Sequence, residues 1–225
     1  MASKKSKQKT KTTVPPTTLR TSGARTPQSS RPPSFYSART LAPPPPRSDV
    51  GADRFAWARS LIRDVPDFPK KGILFKDITT LLAVPRAFHM VLDGLAERLI
   101  GDHVDAIVGI EARGFIFGGA LAARLNASFV PARKPGKLPA AADRVGYITE
   151  YSTAELEMHV GSIREGARVV VVDDVLATGG TAHAAGELVR RQGGDLVAYA
   201  FVIELAVLGG RNKLAPTAVE SIITY

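Results

Sequence analysis

Val169-Val170-Val171-Val172-Asp173-Asp174-Val175-Leu176-Ala177-Thr178-Gly179-Gly180-Thr181 is the stretch from which the fold follows. The four valines after Arg168 show no polar alternation, the pattern of a strand buried on both faces of a parallel sheet. From Thr181 to Gln192, Ala182, Ala185, Leu188 and Val189 share one helical face, so strand, turn and helix follow one another. Two carboxylates stand at the strand end, and a Gly/Thr loop runs from Ala177 to Thr181 at the helix start. Gly179 and Gly180 let the backbone turn tightly and bring its N–H groups close to an anion. Thr178 and Thr181 add hydroxyl donors, and the helix N-terminus adds partial positive charge.

Asp173 and Asp174 would repel a phosphate if they faced it, so they suit neutral sugar hydroxyls beside it, and one ribose phosphate meets both demands. Taken alone, an acidic pair at a strand end reads equally well as simple solvent exposure. A P-loop needs Lys after the glycines and a dinucleotide fold needs GxGxxG, and neither is present.

The strand-helix unit recurs outward from this stretch. Val104 to Ile110 reads as a buried strand, Gly114 to Leu125 as a helix, and Val197 to Glu204 as another strand. Alternation of this kind predicts an α/β fold, a parallel sheet flanked by helices, with ligands beyond the carboxyl ends of the strands. Phe55, Trp57, Ala58, Leu61 and Ile62 mark a short helix where the fold begins. Lys134 to Tyr151, rich in Pro, Gly and Ala, reads as a long mobile excursion, a lid.

Residues 1–50 differ in kind. Ten Lys or Arg and no acidic residue lie between Met1 and Arg47, so the net charge of +9 belongs to this end, and the rest has twenty basic against twenty-one acidic residues. The globular part, 51–225, is therefore no basic nucleic-acid binder. Pro, Ser and Thr with few large apolar side chains favour a disordered extension. A transit peptide, an anion-binding arm and a misplaced start remain alternatives. The chain has no Cys, which excludes disulfides and thiolate metal sites and suits a reducing cytoplasm. No apolar run reaches the ~20 residues that span a bilayer.

Val169 to Thr181 resembles the phosphoribosyl pyrophosphate motif of the phosphoribosyltransferase family. The likeness to its adenine branch extends from about Ile62 to Tyr225 through Pro66-Asp67-Phe68-Pro69, Gly72 to Ile78, Glu111 to Phe115, Arg133 to Pro139, Glu150-Tyr151 and Gly210 to Leu214. The resemblance implies a Rossmann-like core with a small hood and a mobile catalytic loop, and transfer of the phosphoribosyl group to adenine in purine salvage. It further implies that Glu111, Ala112 and Arg113 form a pyrophosphate turn with a strained peptide bond after Glu111. Arg133, Lys134 and Lys137 would also serve the pyrophosphate.

By the same likeness Phe75 and Val175 sandwich adenine while the main chain of Leu74 and Lys76 reads its edge. Glu150 assists proton transfer, and Tyr151 closes with it. Catalysis would rest on Glu150, Arg113, Asp173 and Asp174. Mg²⁺ would be held mainly by substrate oxygens and water, with Asp174 in reach of its water shell. The scattered histidines have no metal spacing. A homodimer in the cytoplasm is expected. A 6-oxopurine transferase and a phosphoribosyl pyrophosphate-sensing regulator are the rival readings; the regulator would need a DNA-binding module, of which the sequence shows no helix-turn-helix or winged-helix pattern.

Overall fold

The computed structural model describes residues 54–148 and 153–225. Its centre is a five-stranded parallel sheet, made of β3 (Ala106–Ile110), β4 (Ser128–Ala132), β7 (Arg168–Leu176), β8 (Asp195–Glu204) and β9 (Ala218–Thr224), in the order β4-β3-β7-β8-β9. Helix α4 (Gly114–Leu125) connects β3 to its neighbour β4, and α5 (Gly180–Arg191) connects β7 to its neighbour β8. Parallel neighbours need such crossovers. Both β3 and the valine run of β7 are fully buried, as two covered faces require.

One face packs on α1 (Ala56–Leu61), α3 (Pro85–Leu99) and α4, where Val170, Val172, Ala200 and Val202 meet Leu61, Leu95 and Phe117. The other packs on α5 and on a hairpin of β5 (Ala142–Ile148) with β6 (Thr153–His159), where Val169 and Val171 meet Leu188, Leu156 and Met158. A separate pair, β1 (Arg63–Pro66) with β2 (Leu74–Asp77), leads into α2 (Thr79–Leu82) and stands as the small hood.

Three expectations are corrected. The central strand runs four residues beyond the valines, because Asp173, Val175 and Leu176 still pair with Phe201, Ile203 and Glu204 of β8; the acidic pair lies inside the strand, not past its end. The helix after the loop spans 180–191, one residue earlier than read at each end. The excursion from Lys134 is no open loop: β5 and β6 form an antiparallel ribbon whose inward Val145, Leu156 and Met158 are buried against α5. Glu150 and Tyr151 lie outside the described residues, as does the 1–50 extension.

Candidate active site

The site forms beyond the end of β3, beside the acidic pair that β7 carries as it continues to Leu176. α4 begins so soon after β3 that Gly114 presses on the central strand. A Cβ there would lie 2.7 Å from the Val172 carbonyl oxygen and 3.0 Å from Asp173 Oδ1. Only glycine permits that approach, and it sets the Glu111–Gly114 turn directly against the acidic pair. The Glu111–Ala112 peptide, where an unusual bond was expected, is cis.

Asp174 is buried, and Arg113 Nε donates to its Oδ2. Burial disfavours the Arg113 charge, but the Asp174 carboxylate outweighs it and holds the guanidinium protonated. Asp173 Oδ1 accepts from the Asp174 N–H at 2.8 Å. Burial first, and then the neighbouring Asp174 charge, push the half-buried Asp173 well above the usual carboxylate range.

Past Leu176 the chain turns through Ala177, Thr178 and Gly179 into α5. Gly179 has φ +79°, the left-handed conformation that glycine adopts at no steric cost, and Gly180 is the first helical residue. The first turn of a helix has no internal partners for its N–H groups, so those after Gly179 are free to meet an anion. Thr178 and Thr181 are half-buried beside them.

The basic segment folds back on the turn at Glu111. Glu111 Oε2 accepts from the Lys134 N–H at 3.0 Å and lies 3.3 Å from Arg133 Nε, while Arg133 Nη1 donates to the Lys137 carbonyl at 2.9 Å. The side chains of Lys134 and Lys137 are exposed. Glu157, which sequence reasoning missed, ties this segment to the hairpin. It is buried to 2 % exposure, its main chain bonds Arg133 both ways at 2.8 and 2.7 Å, and its Oε2 accepts from the Gly136 N–H at 2.9 Å. Its Oε1 pairs with Arg144 at 2.6 Å. Only the alternation of Leu156 and Met158 with Glu155 and Glu157 signals a strand, and that alternation assigns Glu157 to the solvent side.

Phe75 lines a cleft of about 360 Å³ with Val65, Phe68, Asp77, Ile78, Thr79 and Arg113. Phe68 meets Phe75 edge to face at 5.2 Å, and the Arg113 guanidinium lies 5.6 Å from the centre of the Phe75 ring. Asp77 caps the entrance to α2, accepting from the Thr79 N–H at 3.0 Å and hydroxyl at 2.6 Å. Burial raises Asp77, but these bonds and Arg63 hold it below the ordinary range.

The Lys76 ammonium is engaged elsewhere, 2.7 Å from Asp64 Oδ1 and 4.0 Å from the centre of the Tyr225 ring, which leaves its main chain for recognition. Leu74 and Lys76 are two apart in β2, so their main-chain groups face the same edge. Val175 packs half-buried against the first core and does not line this cleft, so the structure does not bring it to Phe75. Among the described residues no group of three or more His, Cys, Asp or Glu is placed to hold a metal.

A parallel α/β sheet with an anion loop beside an acidic pair at its carboxyl edge defines a sugar-phosphate transferase, and residues 79–220 match the phosphoribosyl transferase domain. The adenine phosphoribosyltransferase of Sorangium cellulosum (strain So ce56) is 69% identical over 162 residues, 72% of this chain and 81% of the relative. The adenine phosphoribosyltransferase of Thermoanaerobacter pseudethanolicus superposes with a TM-score of 0.72 at 50% identity, over 73% of this chain and 96% of that one. That of Saccharomyces cerevisiae, solved with D-2,5-dideoxy-2,5-imino-altritol 1,6-bisphosphate and adenine, gives 0.69 at 40% identity, over 73% and 97%. The chain belongs to the adenine phosphoribosyltransferase family.

Proposed function

We infer that this chain transfers the 5-phosphoribosyl group from phosphoribosyl pyrophosphate to adenine, giving AMP and pyrophosphate in purine salvage. The observation that carries this is Arg113: one guanidinium bonds Asp174 of the acidic pair, lies over the Phe75 cleft and belongs to the Glu111–Gly114 turn. The bond from ribose C1 to the pyrophosphate oxygen breaks and the bond from adenine N9 to C1 forms. Positive charge grows on the sugar while negative charge leaves with pyrophosphate. Ala177 to Thr181 hold the 5-phosphate and Asp173 and Asp174 accept from the ribose hydroxyls, which fixes C1 for attack from the opposite face. Arg113, Arg133, Lys134 and Lys137 meet the departing charge, with the Glu111 and Ala112 backbone beside them.

Adenine lies on Phe75, with the main chain of Leu74 and Lys76 along its edge. Glu150, with Tyr151 next to it in sequence, takes part in moving the N9 proton. The two carboxylates of Asp173 and Asp174 are hard oxygen donors too few to hold an ion alone, which suits Mg²⁺ arriving on the pyrophosphate with Asp174 near its water shell. Bound there, Mg²⁺ supplies positive charge to the leaving group.

A homodimer is supported by apolar surface on α4 and the edge strand β4, where Ile116 is 43% and Phe129 37% exposed. Cytoplasmic residence fits the absence of Cys, and among the described residues no helix is long and apolar enough to cross a membrane. The test is AMP formation from adenine, phosphoribosyl pyrophosphate and Mg²⁺, with hypoxanthine as competitor and with Asp173→Ala plus Asp174→Ala as control. Preference for the 6-oxopurine, or unchanged AMP output from the double variant, rejects the assignment.

A further inference from the structure

The phosphate loop meets α6 (Gly210–Leu214) main chain to main chain at Gly179 and Ala177. A Cβ on Gly179 would lie 2.7 Å from the Gly210 carbonyl oxygen, and one on Gly210 would lie 2.2 Å from the Ala177 carbonyl oxygen and 2.9 Å from Leu176 Cδ1. Where backbone meets backbone so closely, a displacement of α6 passes straight into Ala177–Gly179. A helix of five residues does not hold its own place.

Arg211 holds it. Its Nε and Nη2 fork onto Glu204 at 2.9 and 2.6 Å, its Nη1 donates to the Val219 carbonyl at 2.7 Å, and Ser221 donates to the same carboxylate at 2.5 Å. Glu204 is buried and ends β8 opposite Leu176, the last residue of β7, so the clamp is rooted one strand away from the loop.

We propose that Arg211 is a positioning residue for the phosphate loop: by locking α6 to β8 and β9 it keeps Gly210 against Ala177 and Gly179, and so sets the N–H groups that receive the 5-phosphate. The inference rests on the ribose-phosphate reading of that loop. Lysine cannot reproduce the role, because a point charge has no planar fork to match the carboxylate.

The test uses the full chain with Arg211→Gln, Arg211→Lys and Gly210→Ala. Titration calorimetry reads the affinity for ribose 5-phosphate, and steady-state rates read KM for each substrate. Arg211→Gln is expected to weaken ribose 5-phosphate binding and raise KM for phosphoribosyl pyrophosphate by about tenfold, with KM for adenine moved by no more than about twofold. Arg211→Lys falls between it and the wild type. Gly210→Ala, whose added carbon presses on Ala177 with the ion pair in place, is expected to give the same signature and tests the α6 contact itself, and Arg211→Lys decides the matter if Arg211→Gln does not fold.

Wild-type affinity for ribose 5-phosphate in a folded variant overturns the proposal. So does an equal loss toward both substrates, which would mark a merely structural clamp. A wild-type protein that binds ribose 5-phosphate yet makes no AMP sinks the transferase reading alone, and the calorimetric comparison still judges Arg211.

Discussion

Gly114→Ala tests whether close backbone approach builds the site. The added carbon would stand 2.7 Å from the Val172 carbonyl oxygen, 3.0 Å from Asp173 Oδ1 and 3.2 Å from Asp173 Cα. β7 is the central strand, paired with β3 and β8, so it cannot yield. The start of α4 must instead retreat by roughly 0.5 Å to regain ordinary contact. Overpacking of this kind costs about 1–3 kcal/mol. The turn that carries Arg113 moves with the helix, and since a 1 Å misplacement near reacting groups costs about a hundredfold, half of that is expected to lower kcat/KM for phosphoribosyl pyrophosphate by about tenfold.

Gly119→Ala, in the same helix, is the control: a Cβ there meets nothing within 4 Å. Alanine should then gain up to ~1 kcal/mol of helix stability and leave activity unchanged. Initial rates of AMP formation and thermal melts on both variants give the answer. Full kcat/KM in a folded Gly114→Ala protein, or equal damage from Gly119→Ala, would refute the reasoning.

Asp173→Asn should melt no lower than wild type at neutral pH, because burial and Asp174 raise the Asp173 pKa and its ionised form costs stability above the usual range. That advantage should fade as the pH falls toward about 4, where the native Asp173 is protonated, while AMP formation drops by about tenfold or more at every pH. Glu157→Gln weakens the acceptor for the Gly136 N–H and removes the charge facing Arg144. KM for phosphoribosyl pyrophosphate should rise about two- to tenfold with KM for adenine unmoved, and equal changes in both would count against the link to the basic segment. Glu204 is held below its ordinary value by the Arg211 hydrogen bond, so its stabilisation is present above the unfolded pKa and lost as the pH falls through the folded one. The wild-type melting temperature should drop between about pH 5 and pH 3 more steeply than that of Glu204→Gln, and parallel profiles would remove this pair from the acid response.

Much of the fold could be read because its signals are local. The valine run, the Gly114–Leu125 helix and the strand before it need only apolar periodicity, and the structure places the helix at the residues read. Where contacts distant in sequence decide, the reading fell short. Asp173 to Leu176 belong to β7 through partners in β8 some thirty residues on. The hairpin was hidden because Gly146 and the alanines mask a period-2 pattern, and Val145 and Leu156 become inward residues only once α5 covers them. The site residues carried chemistry legible from type and order, but their arrangement did not. Nothing local says that Gly114 touches β7, that Gly179 touches Gly210, or that a glutamate in an alternating strand becomes a buried anchor.

An acidic pair beside a phosphate loop looks self-defeating in sequence, and the geometry resolves it by charge. A guanidinium has five N–H donors, and Arg113 uses its Nε on Asp174, which leaves the outer pair for oxygens of a diphosphate. In the proposed reaction the same cation would neutralise one carboxylate and face the anion that the carboxylate would otherwise repel. Burial and the neighbouring Asp174 raise Asp173 above the usual carboxylate range, the direction that eases repulsion of an incoming anion. Bringing one cation to Asp174 and to the Phe75 ring requires the turn after β3 to lie against the acidic pair of its neighbour β7, and the close approach of Gly114 to Val172 and Asp173 is what permits it.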